Sequence, residues 1–196
     1  MVRRIASFIL AVVLMTGQAY PQTIAWKLDK AHSSVKFSIA HLVISEVAGV
    51  FKDYDVTLTS AGADFTNATL GVTIKVASIN TDNERRDGHL RSADFFDAEK
   101  YPEITFSSTG FEKTGKNTYK ISGDLTIHGV TKPVVLEAVY KGEVKMGERT
   151  IVAFSASTEI NRFDYGVAWN KTLDTGGLIA GDKVRIDLTY EGVRQQ

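Results

Sequence analysis

Eight segments of this 196-residue chain alternate apolar and polar side chains with a period of two. That periodicity is typical of β-strands that bury one face and expose the other. The apolar members of the eight runs are, in chain order, Val35, Phe37, Ile39; Tyr54, Val56, Leu58; Leu70, Val72, Ile74, Val76; Ile104, Phe106; Tyr119, Ile121, Leu125, Ile127; Val134, Leu136, Ala138, Tyr140; Val152, Phe154, Ala156, Ile160; and Val184, Ile186, Leu188, Tyr190. The pattern predicts an all-β protein with eight half-buried strands.

Eight such strands must bury their apolar face and protect the two edges of their sheet. Closure into a barrel achieves both, because it leaves no strand edge unpaired. Short polar turns at 113–117, 129–133 and 145–148 join strands four to seven and indicate antiparallel neighbours. We therefore expect an extended eight-stranded antiparallel barrel. A two-layer sandwich of the same strands is the alternative, since periodicity does not report closure.

The first 22 residues have the pattern of a cleavable secretory signal. Arg3 and Arg4 supply positive charge, residues 5–15 are apolar apart from Ser7, and residues 16–22 contain a Gly-Gln-Ala step that suits a signal peptidase. The apolar part has about half of the ~20 residues that a membrane-spanning helix needs. We expect residues 1–22 to be removed on export and residues 23–196 to form one domain.

Composition excludes several classes of site. The chain contains no cysteine, so it has neither disulfides nor thiolate metal ligands. It carries 23 basic and 23 acidic residues, and removal of Arg3 and Arg4 leaves 21 basic residues against 23 acidic ones. Because nucleic-acid binders present a basic surface, we expect no nucleic-acid partner.

Two connections, 80–102 after the third strand and 161–182 before the eighth, are longer than the others. Functional residues are most often found in such long connections. In the first connection, Thr81 and Glu84 have the spacing of a capping box, and the residues that follow favour a short helix. We expect this segment to cover one end of the barrel as a lid.

Both long connections bring opposite charges close together in the sequence. Arg86 is followed by Asp87, and Arg162 is followed two positions later by Asp164. We expect ion pairs that hold the loops in place. The alternative is that an arginine presents its planar fork of donors to a phosphate or quinone headgroup.

The four histidines match no short metal-binding motif, so we predict no metal site. His41 follows the apolar run that ends at Ile39, and it either bonds a ligand headgroup or is a structural histidine. The sequence contains no motif for nucleophilic catalysis or phosphate binding. We therefore predict no catalytic residue.

Several segments, taken in order, cover nearly all of residues 23–196. They are Trp26–Asp29, His32–Phe37, His41–Leu42, Gly49–Phe51, Arg86–Asp97, Tyr101–Phe106, Gly123–Pro133 and Asn161–Val167. Together they resemble the YceI-like polyisoprenoid-binding family. The resemblance implies a lipocalin-like barrel, exported to the periplasm, with a long hydrophobic tunnel for an isoprenoid or another long-chain amphiphile. It implies no catalytic residue and no cofactor.

On this interpretation the strands supply the tunnel wall and the connections supply its mouth. The predicted wall residues are Phe37, Ile39, Val72, Ile74, Ile121, Leu125, Leu136, Phe154, Ile186 and Leu188. The predicted mouth residues are Phe51, Leu90, Phe95, Phe96 and Trp169, with His41 as a headgroup contact. The alternative for the wall residues is that they fill a solid core, because an eight-stranded barrel has room for little more than side chains or one small ligand. The alternative for the mouth residues is that they simply cap the end of the barrel.

The leading hypothesis is a non-enzymatic protein that sequesters or carries a polyisoprenoid, quinone-type or fatty lipid. Transient exchange with a membrane is expected, and pairing into a homodimer is left open. The main alternative is an isomerase or hydrolase that acts on an enclosed apolar substrate, with His41 or His89 as its base. A ligand-free envelope stress protein is the third reading.

Overall fold

The computed structural model describes residues 23–62, 64–172 and 179–195. The predicted signal, residues 1–22, lies outside the described residues. The strands are β1 Ile24–Leu28, β2 Ser34–His41, β3 Ser45–Phe51, β4 Tyr54–Ser60, β5 Thr69–Lys75, β6 Ile79–Asn80, β7 Glu103–Lys113, β8 Thr118–Ile127, β9 Val130–Met146, β10 Arg149–Asn161 and β11 Ala180–Arg194. Helix α1 spans Glu84–Arg91, and 3-10 turns lie at Val76–Ser78 and Arg162–Tyr165. None of the helices in these ranges is long and apolar enough to cross a membrane.

The eleven strands combine into the eight that the sequence predicts. Strand β11 pairs with β2 along one part of its length and with β1 along another. At the next position in the sheet, β3 pairs with β2 and β4 pairs with β1. Beyond them, β6 pairs with β3 and β5 pairs with β4. The three composite strands β1–β2, β3–β4 and β5–β6 join β7 to β11 in a simple antiparallel meander. The ring closes between the composite strand β1–β2 and β11, so the predicted barrel is confirmed and the sandwich is excluded.

Short breaks divide the three composite strands and let them bend. Between β1 and β2 the chain is held against β11, because the Asp29 amide donates to the Glu191 carbonyl over 2.8 Å and the Glu191 amide donates to Ser33 Oγ over 2.9 Å. The other two breaks contact each other, since the Lys52 amide donates to the Ser78 carbonyl over 3.2 Å. Sharp local bends of this kind are how a sheet closes into a small barrel.

Aromatic rings close one end of the barrel, which we call the plug end. The loop between β4 and β5 carries Phe65, which is 1% exposed and has a positive φ of 56°. Its ring lies 4.9 Å from the ring of Phe154, 5.4 Å from that of Tyr140 and 5.8 Å from that of Trp26. Sequence periodicity does not predict this plug, because Phe65 lies in a loop and outside every alternating run.

The connection between β6 and β7 covers the opposite end, the lid end, and contains the predicted short helix. The predicted capping box is wrong, because the side chain of Asn83 caps α1 by accepting a hydrogen bond from the Arg86 amide over 3.0 Å. Thr81 instead forms hydrogen bonds with both Arg86 and Asp87. Its Oγ1 accepts from Arg86 Nε over 2.8 Å and donates to Asp87 Oδ1 over 2.5 Å. The predicted ion pair between Arg86 and Asp87 is therefore replaced by a bridge through a threonine hydroxyl.

The turn between β8 and β9 is shorter than predicted. It consists of His128 and Gly129, with φ values of 51° and 74°, and β9 begins at Val130 rather than after Pro133. Two residues with positive φ form the tight hairpin turn whose twist matches that of the strands. Gly129 accepts this conformation at low cost because it has no Cβ atom.

Candidate ligand-binding cavity

The barrel encloses two apolar cavities that lie end to end. The lid cavity, below α1, spans about 1100 Å³ not filled by protein atoms, and the plug cavity, beside the Phe65 cluster, spans about 630 Å³; both figures include space open to solvent. The centre of a water molecule can reach about 140 Å³ of the lid cavity and about 70 Å³ of the plug cavity. Both are lined by Val35, Val72, Leu136 and Leu188, which we call the waist. The interior is therefore hollow on both sides of the waist and is not a fully packed core.

The alternation of the strands explains why the cavities are apolar. In β11, Val184, Ile186 and Leu188 all line the lid cavity, while Lys183 and Arg185, which precede Val184 and Ile186, are exposed. Because strand residues rise about 3.3 Å each, the cavity-lining segment from Val184 to Tyr190 follows about 20 Å of β11. A space of this length and polarity suits an extended hydrocarbon chain.

Most of the predicted ligand contacts lie on these cavity walls. The lid cavity is lined by Phe37, Ile39, Phe51, Val72, Ile74, Leu90, Phe95, Phe96, Leu125, Leu136, Ile186 and Leu188. The plug cavity is lined by Val72, Ile121, Leu136, Phe154 and Leu188. His41 and Trp169 are the predicted residues that do not line either cavity. Contact of any of these side chains with a ligand stays a prediction.

His41 lies at the end of β2, where its Nδ1 is 3.4 Å from the Oγ of Ser45. The same hydroxyl donates to the His41 carbonyl over 3.0 Å, so the two residues close the β2–β3 hairpin. This position favours the structural role of His41 that the sequence left open.

The lid is a cluster of rings above the lid cavity. Trp169 lies outside the wall and packs on Phe95 with 5.1 Å between ring centroids. The His89 ring contacts both, at 5.0 Å from Phe95 and 5.4 Å from Trp169, and its Nε2 lies 2.9 Å from Asp94 Oδ2. Trp169 therefore supports the lid through Phe95 and His89, and its place at the mouth stays a prediction.

Some wall residues were not predicted, and Phe111 shows why. The apolar run of β7 begins with Ile104 and Phe106, so strict alternation would continue inward at 108 and 110. A register shift between Ser108 and Gly110 changes the alternation, and Phe111 is the buried residue that lines the plug cavity. A bulge inserts one residue and exchanges the two faces of the strand, which sequence periodicity alone does not reveal.

Arg162 is the buried charged side chain on the cavity wall. It begins the 3-10 turn after β10, is 4% exposed and lines the lid cavity. Its guanidinium donates hydrogen bonds of 2.7–3.1 Å to the carbonyl oxygens of Val167, Trp169, Ala180 and Gly181. Burial lowers the pKa of Arg162, and the charge of nearby Asp182 opposes that shift.

The predicted ion pair between Arg162 and Asp164 is wrong. Among the described residues no ion pair includes Arg162, and Asp164 is exposed. The physical reason is that the guanidinium points to four backbone carbonyls that need a donor once they leave water. Arg162 thus fastens two stretches of chain, Val167–Trp169 and Ala180–Gly181, to the lid end of the barrel.

One group of potential metal ligands lies on the outside of the barrel, at the corner between β1 and β2. His32 Nδ1 is 3.1 Å from Asp29 Oδ2 and 3.7 Å from Glu191 Oε1. The hydrogen bond to Asp29 raises the pKa of His32, and the same bond lowers the pKa of Asp29. The imidazole and the two carboxylates contact one another and hold the corner between β1 and β2 against β11. These contacts explain why the three side chains lie close together without a bound ion.

Comparison with known proteins identifies the family. Residues 26–192 match the YceI-like domain. A UPF0312 protein of Pseudomonas putida strain W619 is 39% identical over 193 residues, which cover 94% of this chain and 93% of that protein.

Solved structures share the fold. A Campylobacter jejuni YceI protein is similar with a TM-score of 0.69 and 39% identity, covering 87% of this chain and 98% of that one. A polyisoprenoid binding domain from Saccharophagus degradans has the same fold, with a TM-score of 0.62, 17% identity and coverage of 86% and 98%. Since the family match spans most of the chain and the relatives match at high coverage, this protein belongs to the YceI-like domain family.

Proposed function

We propose that this protein binds a long-chain amphiphile, such as an isoprenoid-tailed or fatty lipid, inside its barrel in the periplasm. The observation that carries the proposal is the pair of apolar cavities that meet at the waist and are bounded by aromatic rings at both ends. Membership of the YceI-like family, and a fold shared with a polyisoprenoid binding domain, support the same class of ligand.

The energetics of a lipid tail explain why an enclosed apolar cavity is useful. Each methylene group that enters water costs about 0.8 kcal/mol, so a long tail rarely leaves a bilayer unaccompanied. Transfer from bilayer to barrel exchanges one apolar environment for another, and the net contribution of buried area is small. Selectivity therefore comes from the shape of the cavity and from headgroup contacts, and exchange with a membrane is reversible.

The cavity walls favour binding over catalysis. Among the described residues, neither cavity is lined by a histidine, an aspartate or a glutamate. His41 and His89, the candidate bases, lie in the β2–β3 hairpin and on the outer side of the lid. A reaction on an enclosed substrate would lack a histidine or carboxylate base on the described cavity walls.

Native mass spectrometry combined with organic extraction tests the proposal. The full chain is expressed in a bacterial host, the mature protein is purified without detergent, and the extract is analysed for lipids. We expect a long-chain lipid in near-stoichiometric amount and its displacement by added isoprenoid quinone. The proposal is wrong if repeated preparations are empty and neither an isoprenoid quinone nor a fatty acid binds saturably.

The periplasmic part of the proposal has its own test. Removal of an export signal before position 23 would give a mature chain that begins between Ala19 and Thr23. We expect cell fractionation to place the protein in the periplasm and amino-terminal sequencing to find this start. Recovery from the cytoplasm with residues 1–22 intact would contradict export.

A further inference from the structure

The buried charge of Arg162 makes the two cavities electrically different. The polar side chains that line the plug cavity are neutral, namely Ser34, Tyr54, Thr189 and Tyr190. The lid cavity is lined by Arg162 and by Lys36, but Lys36 is exposed and its charge is screened by water. Arg162 is therefore the cation whose field acts on the contents of the barrel.

Four of the five N–H donors of Arg162 bind backbone carbonyls, but these contacts do not neutralise its charge. Its acceptors are carbonyl dipoles, and no carboxylate of the described residues lies within ion-pair distance. Asp182 is nearby, yet its Oδ2 accepts a hydrogen bond from Asn161 Nδ2 over 3.3 Å. Because an apolar cavity screens charge poorly, an anion beside Arg162 is favoured and a second cation is disfavoured.

We propose that Arg162 selects amphiphiles with an anionic oxygen headgroup, either a carboxylate or a phosphate, and orients them in the barrel. The headgroup lies in the lid cavity, and the tail passes the waist and ends in the plug cavity against Phe65 and Phe154. This inference rests on the proposed function, because it requires that the cavities hold a lipid.

The headgroup part is tested with three ligands of equal chain length: hexadecanoate, hexadecyl phosphate and hexadecylamine. Each is titrated below its critical micelle concentration at neutral pH, where the first two are anions and the third is a cation. We expect each anion to bind at least about tenfold more tightly than the amine. Equal affinities, or a preference for the amine, would overturn the inference; a preference for only one anion would identify the headgroup.

Three arginine variants separate charge from structure. Arg162→Gln and Arg162→Lys both disturb the hydrogen bonds to the backbone, but only Arg162→Gln removes the positive charge. We expect Arg162→Gln to bind anion and amine within about threefold of each other, and Arg162→Lys to keep the preference. Arg185→Gln removes an exposed arginine that pairs with Asp187 on the outside of the barrel and should leave the preference unchanged. Loss of the preference in all three variants would argue against a local effect of Arg162.

The orientation is tested without changing Arg162, since the chain has two tryptophans and they lie at opposite ends of the cavities. Trp26 belongs to the plug cluster and Trp169 supports the lid. A hexadecanoate brominated at its terminal carbon quenches nearby indole fluorescence. We expect quenching of Trp26 in the Trp169→Phe variant and little quenching of Trp169 in the Trp26→Phe variant. The reverse pattern would overturn the orientation.

The outcomes also distinguish this inference from the proposed function. If none of the three amphiphiles and no isoprenoid quinone binds, the proposed function itself fails. If they bind without a headgroup preference or with the opposite orientation, the barrel holds lipids and the role assigned to Arg162 is wrong.

Discussion

Phe65 and Phe154 pack edge to face at the plug end, with ring centroids 4.9 Å apart and an interplanar angle of 85°. Phe154 belongs to the barrel wall and lines the plug cavity, whereas Phe65 comes from the loop between β4 and β5. The contact therefore joins a loop to the inner surface of the barrel. Phe65 thereby packs behind Phe154, the ring that lines the plug cavity.

Replacement of Phe65 by alanine removes this plug. Truncation of a fully buried phenylalanine costs about 3–5 kcal/mol of unfolding free energy, because it loses the transfer term and leaves a void. Urea unfolding of Phe65→Ala should show a lower midpoint. Phe163→Ala, at a site that is 37% exposed, is the control and should change stability far less. Similar midpoints for the two variants would show that Phe65 does not hold the plug end together.

The waist offers a way to shorten the cavity. Leu136→Phe adds a ring at the point where the lid and plug cavities meet, while Val135→Phe adds the same ring on the outward face, where Val135 is 43% exposed. We expect Leu136→Phe to weaken binding of a hexadecyl chain at least about tenfold and to affect an octyl chain little. Isothermal titration with both chain lengths measures this, and unfolding curves control for the overpacking cost of about 1–3 kcal/mol. An equal loss for both chains would mean that the waist is not on the path of the tail.

The strands and most of the cavity wall were predictable because one physical rule governs both. In a barrel with a buried inner face, every second residue points inward, so the apolar members of a run are also the wall residues. Val72, Leu136 and Leu188 follow directly from their runs. The lid residues Leu90, Phe95 and Phe96 followed from an apolar side on a short helical connection.

The remaining features depend on contacts that no local pattern encodes. Phe111 is displaced by a bulge, and Phe65 reaches the core from a loop with a positive φ. Arg162 was expected to pair with a neighbour in the sequence, but its acceptors are the backbone carbonyls at 167, 169, 180 and 181 that folding brings to it. The breaks in the three composite strands are held by long-range hydrogen bonds. One break is bonded to β11, and the other two are bonded to each other.

Gly123 in β8 leaves room for the ring of Phe106, a wall residue of the lid cavity on the neighbouring strand. A Cβ atom at Gly123 would lie 2.6 Å from both Phe106 Cε2 and the Ser107 carbonyl oxygen. We expect Gly123→Ala to cost about 1–3 kcal/mol of unfolding free energy and to displace the Phe106 ring. Gly110→Ala in β7 is the matched control, because a Cβ atom there meets no atom within 4 Å. A Gly123→Ala variant as stable as Gly110→Ala would contradict this reading of the close approach.

The corner formed by Asp29 and His32 predicts a pH dependence. The Asp29 contact raises the pKa of His32 above its ordinary value of 6.5 and lowers the pKa of Asp29 below 3.8. A group with a raised pKa in the folded state stabilises the fold below its unfolded pKa and loses that effect as the pH rises through the folded value. For Asp29 the effect is present above its unfolded pKa and is lost as the pH falls through its lowered folded value. The contact is therefore strongest at pH values above the pKa of Asp29 and below the pKa of His32, where both groups are charged.

The corresponding measurements are an imidazole NMR titration and thermal unfolding of the wild type and of Asp29→Asn. The His32 midpoint should lie above 6.5 in the wild type and move back towards it in Asp29→Asn. Glu191→Gln should lower the midpoint less, since Glu191 Oε1 is 3.7 Å from His32 Nδ1 while Asp29 Oδ2 is 3.1 Å away. The difference in melting temperature between wild type and Asp29→Asn should be larger near about pH 5 than near about pH 9, because His32 is charged only at the lower pH. A difference that does not change with pH would show that the imidazolium does not contribute to holding β1 and β2 on β11.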